Sequence, residues 1–123
     1  MSETAGLPEP VEHSIDLLVD SLSGLEALLS VYREPDRSWT PDQLAARLRI
    51  SPRAARQELD RLRERGVAES AVSGSGPVYR YRPVDPTQAR HVARIADAYS
   101  TRRIETINYV ASSSLRRIRP GGV

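Results

Sequence analysis

The feature of this sequence that most restricts its fold is a pair of closely spaced helix-start signals. The stretch Thr40-Pro-Asp-Gln43 is a capping box, in which the threonine and glutamine side chains satisfy each other's free backbone N–H groups. Ser51, followed by a proline, repeats the start signal, and Gly66 is a typical stop after the second helix. We therefore predict two short helices joined by a tight turn, the second of which spans residues 52–65.

Both predicted helices carry an apolar face that would pack into a core. Apolar residues recur at helical spacing in each, as Leu44, Ala45 and Leu48 in the first and Ala55, Leu59 and Leu62 in the second. Trp39 directly precedes the first cap and is expected to pack against that helix. The charged residues of the second helix then fall on its outward side.

The chain before this pair is also predicted to be helical. Its apolar residues recur at helical spacing as Val11, Ile15, Leu18 and Val19. Ser23-Gly-Leu-Glu26 fits a further capping box, so a helix is expected to begin near Ser23. The sequence leaves open whether these segments form one kinked helix or two.

A β-hairpin is predicted directly after the second helix of the pair. Residues 67–72 and 78–82 are β-prone and flank a tip rich in glycine and serine. In the second run Tyr79 and Tyr81 share one face of the strand, because side chains alternate between the two faces.

The last predicted element is one long helix. Asp85, followed by a proline, repeats the start signal, and apolar residues recur at helical spacing to about Ser112. The apolar stripe shifts between Tyr99 and Ile104, so the buried face changes or the helix bends there. One small core would leave much of this stripe uncovered. That favours pairing across a two-fold axis, with Tyr99, Ile104 and Ile107 as dimer-interface candidates. The alternative is that the helix folds back over the N-terminal helix as core.

The order of elements predicts a mainly α fold with a small β-hairpin wing, a winged helix-turn-helix followed by a long C-terminal helix. The expected boundaries are a disordered tail over 1–9, the winged helix-turn-helix domain over 10–84, the C-terminal dimerisation helix over 85–113 and a flexible tail over 114–123. At 123 residues the chain is long enough for one modest core.

The stretch TPDQLAARLRISPRAARQELDRLRERGVAE resembles the core of bacterial winged-helix transcriptional regulators of the MarR and ArsR kind. The matching features are the apolar faces of the two helices, the turn ending at Ser51, and Gly66-Val67 leading into the wing. The resemblance covers residues 20–83, and the flanks resemble those of uncharacterised bacterial members. It implies a regulator of transcription that binds DNA, although winged helices also serve as protein-interaction modules.

The charge is unevenly distributed along the chain. Residues 1–36 carry a net charge of −7, residues 37–82 carry +5 and residues 83–123 carry +4. All the basic residues are arginine, which suits phosphate and guanine recognition, so a polyanion-binding surface is expected in the last two thirds. Codon bias in a GC-rich genome is the simpler explanation of the absence of lysine.

In the helix-turn-helix motif, the N-terminal part of the second helix enters the major groove. The predicted DNA-binding residues there are Ser51, Pro52, Arg53, Arg56 and Gln57. An arginine can bind guanine O6 and N7 together, and a glutamine can bind adenine in the same bidentate way. Arg80 and Arg82 of the wing are predicted to hold the DNA backbone.

Two observations favour a solvated, charged surface instead. Asp60 and Glu64 are expected to face outward too, and Asp60 is spaced to pair with Arg56 and Arg63 along the helix. Alternating arginines on an edge strand also serve to prevent strand-to-strand association. The rival prediction is therefore a protein-interaction adaptor that binds no DNA and offers its acidic N-terminal segment to a protein partner.

No feature of the sequence predicts an enzyme, a metal site or a cofactor. There is no cysteine, no carboxylate cluster accompanies His13 or His91, and no nucleophile–base arrangement or Walker lysine is visible. The lack of cysteine, the acidic N-terminus and the absence of a long apolar run predict a cytoplasmic protein that does not enter a membrane.

Overall fold

A computed structural model describes residues 6–118 of the chain, with side-chain detail for residues 6–112. Its elements are α1 (Glu9–Leu18), α2 (Leu22–Arg33), α3 (Pro41–Leu48), α4 (Pro52–Glu64), β1 (Ala68–Ser73), β2 (Gly76–Tyr81), α5 (Pro86–Thr101) and α6 (Arg103–Ile118). The helix pair, the hairpin and the flanking helices occur in the predicted order. Within this range no helix combines the length and apolarity needed to span a bilayer.

Helices α3 and α4 begin where their capping signals predict. The Thr40 hydroxyl accepts a hydrogen bond from the Gln43 N–H, and the Gln43 side chain accepts one from the Thr40 N–H, each at 3.1 Å. The Ser51 hydroxyl accepts one from the Ala54 N–H at 3.0 Å. Between the helices, Arg49 has a left-handed backbone with φ 60° and ψ 45°, which turns the chain sharply.

The apolar faces of α3 and α4 meet in the core of the domain. Leu44 of α3 and both Ala55 and Leu59 of α4 are fully buried, and α4 packs against α2, α3 and β1. Gly66 follows α4 with φ 76°, a conformation that glycine adopts without steric cost. A Cβ at this position would lie 3.0 Å from the Val84 side chain, so both backbone and neighbour favour glycine here.

Helices α1 and α2 are separate. The second begins at Leu22, near Ser23 as predicted, but the predicted capping box is wrong, because Ser21 is the N-cap and accepts a hydrogen bond from the Gly24 N–H at 2.9 Å. Ser21 has the extended backbone that a cap requires, with φ −157°, whereas Ser23 lies in the first turn. The cap therefore lies two residues earlier than the capping-box pattern indicates.

The ends of the described range differ from the predicted tail boundaries. Leu7 is buried in the core and α1 begins at Glu9, both within the segment predicted to be disordered. At the other end, α6 continues to Ile118, past the predicted end of the helix. Residues 1–5 and 119–123, which hold the rest of both predicted tails, lie outside the described residues.

The predicted long C-terminal helix is divided at Arg102 into α5 and α6, between Tyr99 and Ile104, where the apolar stripe predicts a change of face or a bend. Two threonines flank the break. The Thr101 hydroxyl donates to the Asp97 carbonyl at 3.0 Å, and the Thr106 hydroxyl donates to the Arg102 carbonyl at 2.8 Å. Such side-chain bonds to the preceding turn often bend helices. After the break, α6 contacts both α1 and α2.

Much of the C-terminal apolar stripe is covered within the chain. Val92 and Ile95 of α5 and Val110 of α6 are fully buried, and α5 packs along α1. In that contact the buried Ser14 hydroxyl lies 2.7 Å from His91 Nδ1. Most of the stripe therefore packs as the alternative prediction expects, in which this region folds back over the N-terminal helix as core.

The hairpin is anchored to the start of α3. β1 and β2 pair antiparallel with Glu69 opposite Arg80 and Ser70 opposite Tyr79. The backbone of Trp39, just before α3, pairs with that of Tyr79 through hydrogen bonds of 2.7 and 2.8 Å. Trp39 and Tyr79 are both buried, so the wing is fixed to the helix-turn-helix unit by backbone pairing and by packing.

Candidate functional site

A cleft of about 670 Å³ lies between the start of α3, the first half of α4 and the tip of the wing. Four of the predicted contact residues line it, namely Pro52, Arg53, Arg56 and Gln57. The sequence predicts that these four share one region of a helix. The structure adds residues 75–77 of the wing tip, which form the opposite side of the cleft.

Arg53 is a free cation in this cleft. Its side chain is exposed and has no carboxylate partner among the described residues, and Gln57 is exposed beside it. Ser51 uses its hydroxyl to cap α4, so it fixes the N-terminus of the helix next to Arg53. The unpaired N–H groups and the dipole of that terminus add positive potential at the mouth of the cleft.

Arg56 lies in the same cleft beside a carboxylate. Its Nε is 3.8 Å from Asp60 Oδ2, while Asp60 Oδ1 accepts a hydrogen bond from the Tyr79 hydroxyl at 2.6 Å. Burial, followed by this hydrogen bond, raises the pKa of Tyr79 above its ordinary value. Asp60 therefore faces the cleft, as expected from its place on the helix, but it also joins α4 to the wing.

Arg80 and Arg82 do not line the cleft. They lie on the face of β2 opposite the buried Tyr79, where Glu69 of β1 pairs with both. The distances from Glu69 are 2.8 Å to Arg80 NH2 and 3.8 Å to Arg82 Nε. The structure thus separates the wing arginines from the arginines of α4.

Most arginines of residues 37–82 have an acidic partner. Eight of the ten lie within ion-pair distance of a carboxylate. The pairs are Arg37–Glu34, Arg47–Glu34, Arg56–Asp60, Arg63–Asp60, Arg61–Glu58, Arg65–Asp20, Arg80–Glu69 and Arg82–Glu69. Arg49 and Arg53 have no such partner among the described residues. Within residues 37–82 the arginines without a carboxylate partner are therefore those just before and at the start of α4, and Arg49, which the sequence-based prediction did not include, is exposed at this turn but does not line the cleft.

Two acidic residues of the N-terminal third form ion pairs that join elements of the fold. Glu34 binds Arg37 and Arg47, each at 3.1 Å, and these hydrogen bonds lower the pKa of its carboxyl group. Asp20 holds Arg65 at 3.1 Å, at the end of α4. These acids tie α2 to α3 and the α1–α2 junction to α4, away from the cleft.

The three predicted dimer-interface residues differ in exposure. Ile104, near the start of α6, is 70% exposed in the single chain. Tyr99 and Ile107 are half-buried, and the guanidinium groups of Arg33 and Arg103 lie 5.7 and 4.8 Å from the centroid of the Tyr99 ring. Of the three, Ile104 offers the most uncovered apolar surface to a second subunit.

The part of the chain that the structure describes has no group of three or more His, Cys, Asp or Glu side chains suited to a metal ion. His13 and His91 contact each other edge to face, with ring centroids 5.8 Å apart. Burial, followed by the charge of Arg94, lowers the pKa of His91. This pair belongs to the α1–α5 contact and lies apart from the cleft.

The whole fold is shared with solved structures. A mutant of MarR from E. coli matches with a TM-score of 0.56 at 16% sequence identity, over 89% of this chain and 85% of that chain. The chain has the winged-helix fold of MarR. Wild-type E. coli MarR in its apo form matches with a TM-score of 0.52 at 17% identity, over 91% of this chain and 87% of that chain. A possible transcriptional regulator from Methanosarcina mazei Go1 matches with a TM-score of 0.52 at 21% identity, over 79% of this chain and 83% of that chain.

The likeness to MarR confirms the predicted fold class, a mainly α winged helix-turn-helix with a hairpin wing. No family model and no curated protein matches the sequence. At 16–21% identity the likeness shows the fold alone, so the residues of the cleft must carry any assignment of function.

Proposed function

We propose that this protein is a cytoplasmic regulator of transcription that binds double-stranded DNA sequence-specifically as a dimer. The first turns of α4 enter the major groove and the wing follows the DNA backbone. The observation that carries the proposal is the cleft where Arg53, Arg56 and Gln57 meet beside the wing tip. The MarR-like fold supports it, because helix-turn-helix domains present their second helix to the major groove. No catalytic step, metal or cofactor is required.

The chemistry of these side chains suits base edges. Arg53 and Arg56 carry planar guanidinium forks that fit guanine O6 and N7, and the Gln57 amide fits adenine N6 and N7. Pro52 and the capped N-terminus of α4 favour a phosphate close by. Arg49 adds a free cation on the other side of the turn.

Arg80 and Arg82 have a role in this proposal that requires a change of partner. They would leave Glu69 and bind phosphates when DNA is present. Ion pairs between exposed side chains contribute only about 0.2–1 kcal/mol, so their loss is a small cost. Each phosphate that an arginine neutralises releases condensed counterions from the DNA, which favours the exchange at low salt.

The dimer is proposed to form through α5 and α6. Ile104 supplies exposed apolar surface, with Tyr99 and Ile107 beside it. Two copies related by a two-fold axis would present two α4 helices to half-sites about one turn of DNA apart, as dimeric helix-turn-helix proteins do.

A protein-interaction adaptor is the second candidate, and the acids of the cleft favour it. Asp42 and Asp60 line the cleft together with Arg53 and Arg56, so its formal charge is balanced. A balanced surface suits a protein partner, whereas a polyanion favours an excess of positive charge. The two candidates differ in one measurable property, because the adaptor binds no duplex.

Selection of bound fragments from random duplex DNA tests both candidates. We expect the wild-type protein to enrich a two-fold symmetric site and the Arg53→Glu/Arg56→Glu variant to enrich none. Losing two base contacts of about 1–3 kcal/mol each predicts at least about a 30-fold weaker affinity for the enriched site at fixed salt. Affinity of the wild type should also fall linearly with salt on logarithmic axes.

A matched control compares Arg53→Glu with Arg90→Glu, which makes the same charge change at an exposed position outside the cleft and at the opposite end of α5 from Ile104. Arg90→Glu should keep most of the affinity, and light scattering should give the same mass for the wild type and both variants. Equal loss in Arg53→Glu and Arg90→Glu would mean that net charge alone drives binding. No enrichment by the wild type would favour the adaptor.

A further inference from the structure

We propose that Asp60 is a positioning residue that fixes Arg56 for guanine and thereby sets the base preference of the cleft. This inference rests on the proposed DNA-binding function and adds a residue that would touch no base itself. It depends on three contacts of one carboxylate, to Arg56, Arg63 and Tyr79.

The carboxylate of Asp60 is held in place by the wing. Its Oδ1 accepts the Tyr79 hydroxyl bond at 2.6 Å, and Tyr79 is only 2% exposed. Because the backbone of Tyr79 is paired with that of Trp39 and its side chain is buried, the hydroxyl is tied to the wing and to the start of α3. Asp60 is therefore a fixed point on an otherwise solvated helix face.

Arg56 meets this fixed point with one side of its guanidinium group. Its Nε lies 3.8 Å from Asp60 Oδ2, at ion-pair distance. Among the described residues no second carboxylate forms an ion pair with this guanidinium, which also interacts with the Tyr79 hydroxyl. Its terminal amino groups have the geometry to donate to guanine O6 and N7. Arg63 approaches the other oxygen, Oδ1, at 4.0 Å, so it does not compete for Oδ2.

This arrangement favours specificity over affinity. The Arg56 side chain is 59% exposed, and without Asp60 it would sample many rotamers and reach phosphates as easily as bases. Restricting it beforehand lowers the entropy lost on binding one base edge. The negative charge of Asp60 also repels phosphates, so it weakens binding that does not include the correct base.

The test is the Asp60→Asn variant, whose amide oxygen can still accept the Tyr79 hydroxyl bond while the charge beside Arg56 is gone. Site selection with the wild type should give one guanine per half-site that Arg56→Ala no longer prefers. A bidentate contact predicts a preference of roughly 5- to 150-fold at that position. In Asp60→Asn we expect this preference to fall toward that of Arg56→Ala, while affinity for unrelated duplex DNA rises.

The Tyr79→Phe variant is the matched control, because it removes the hydroxyl bond but keeps the carboxylate beside Arg56. It should be less stable and lose part of the guanine preference, though less than Asp60→Asn loses, because the wing no longer holds the carboxylate but the carboxylate still lies beside Arg56. An unchanged preference in Asp60→Asn would overturn the inference and leave the proposed function standing. Equal loss in Asp60→Asn and Tyr79→Phe would also overturn it, because the contact would then act only through the wing. A wild type that selects no sequence would overturn the proposed function itself.

Discussion

Arg49, the residue at the turn between α3 and α4, is a place where stability and binding are expected to oppose each other. Its φ of 60° and ψ of 45° place an L-residue in the left-handed region, where contact between Cβ and the backbone costs about 1–2 kcal/mol. Its side chain is exposed and has no acidic partner among the described residues, so truncating it removes no ion pair. Arg49→Gly therefore relieves strain without removing a stabilising contact.

The magnitude follows from two opposing effects. Glycine removes the 1–2 kcal/mol of strain, but it is more flexible in the unfolded chain, which offsets about 0.5–1 kcal/mol. The net increase in unfolding free energy is about 0–1.5 kcal/mol, and the midpoints of the two ranges give about 0.8 kcal/mol. For a chain of this size the unfolding entropy converts 1 kcal/mol to about 4 °C, so the melting temperature should rise by about 3 °C.

Thermal unfolding of the wild type, Arg49→Gly and Arg49→Ala measures this directly. Alanine loses the same charge but retains a Cβ, so the difference between the two variants isolates the backbone strain. Both variants should bind DNA more weakly than the wild type, since both lose a free guanidinium beside the proposed interface. A melting temperature for Arg49→Gly equal to or below that of Arg49→Ala would refute the reasoning.

Two further predictions concern the core and the subunit contact. Burial raises the pKa of Glu58 in the folded state above the ordinary value of 4.5 that it has in the unfolded chain. The folded protein therefore loses stability as the pH rises from 4.5 through the raised pKa, because the carboxyl group must then be charged while buried. In urea unfolding, Glu58→Gln should become more stable relative to the wild type between pH 4 and pH 7, and a constant difference would contradict this. Ile104→Asp should convert the proposed dimer to a folded monomer in light scattering, whereas the same change at Leu17, which is 46% exposed on α1, should leave the mass unchanged. An unaltered mass for Ile104→Asp would place the interface elsewhere.

The helix boundaries around the cleft could be predicted because their signals are local. Thr40, Ser51 and Asp85 each accept a backbone hydrogen bond from a residue three positions later. The error at α2 shows the limit of such signals, because Ser21 and Ser23 both have capping side chains and only backbone conformation decides between them. Local patterns thus locate a helix start to within a few residues.

The charge of the site could not be predicted, because pairing depends on contacts that are distant in sequence. Helical spacing indicates that Arg56 and Arg63 lie near Asp60, but it does not indicate that Tyr79 of the wing covers the same carboxylate. Nor does helical spacing indicate that Arg65 forms an ion pair with Asp20, which compensates the positive charge of this arginine. A count of arginines in the sequence therefore overstates what is available to DNA.

The break between α5 and α6 illustrates a third kind of limit. Arg102 is followed by another arginine, and neither glycine nor proline occurs near it, so the usual signals of a helix end are missing. The hydroxyl bonds of Thr101 and Thr106 to the preceding turn accompany the break, and threonine makes such bonds only in some contexts. The shift in the apolar stripe was the remaining sign of a change at this point.

The bond between Asp60 and Tyr79 also limits how this domain can be re-engineered. Specificity is often altered by exchanging the exposed residues of a helix such as α4 as a set. Here a transplanted helix without an acceptor at position 60 would leave the buried Tyr79 hydroxyl unsatisfied, at a cost of about 1–3 kcal/mol. A workable exchange must therefore carry an acceptor at that position or replace the wing tyrosine at the same time. To transfer a DNA preference between such domains, α4 and β2 must be exchanged together.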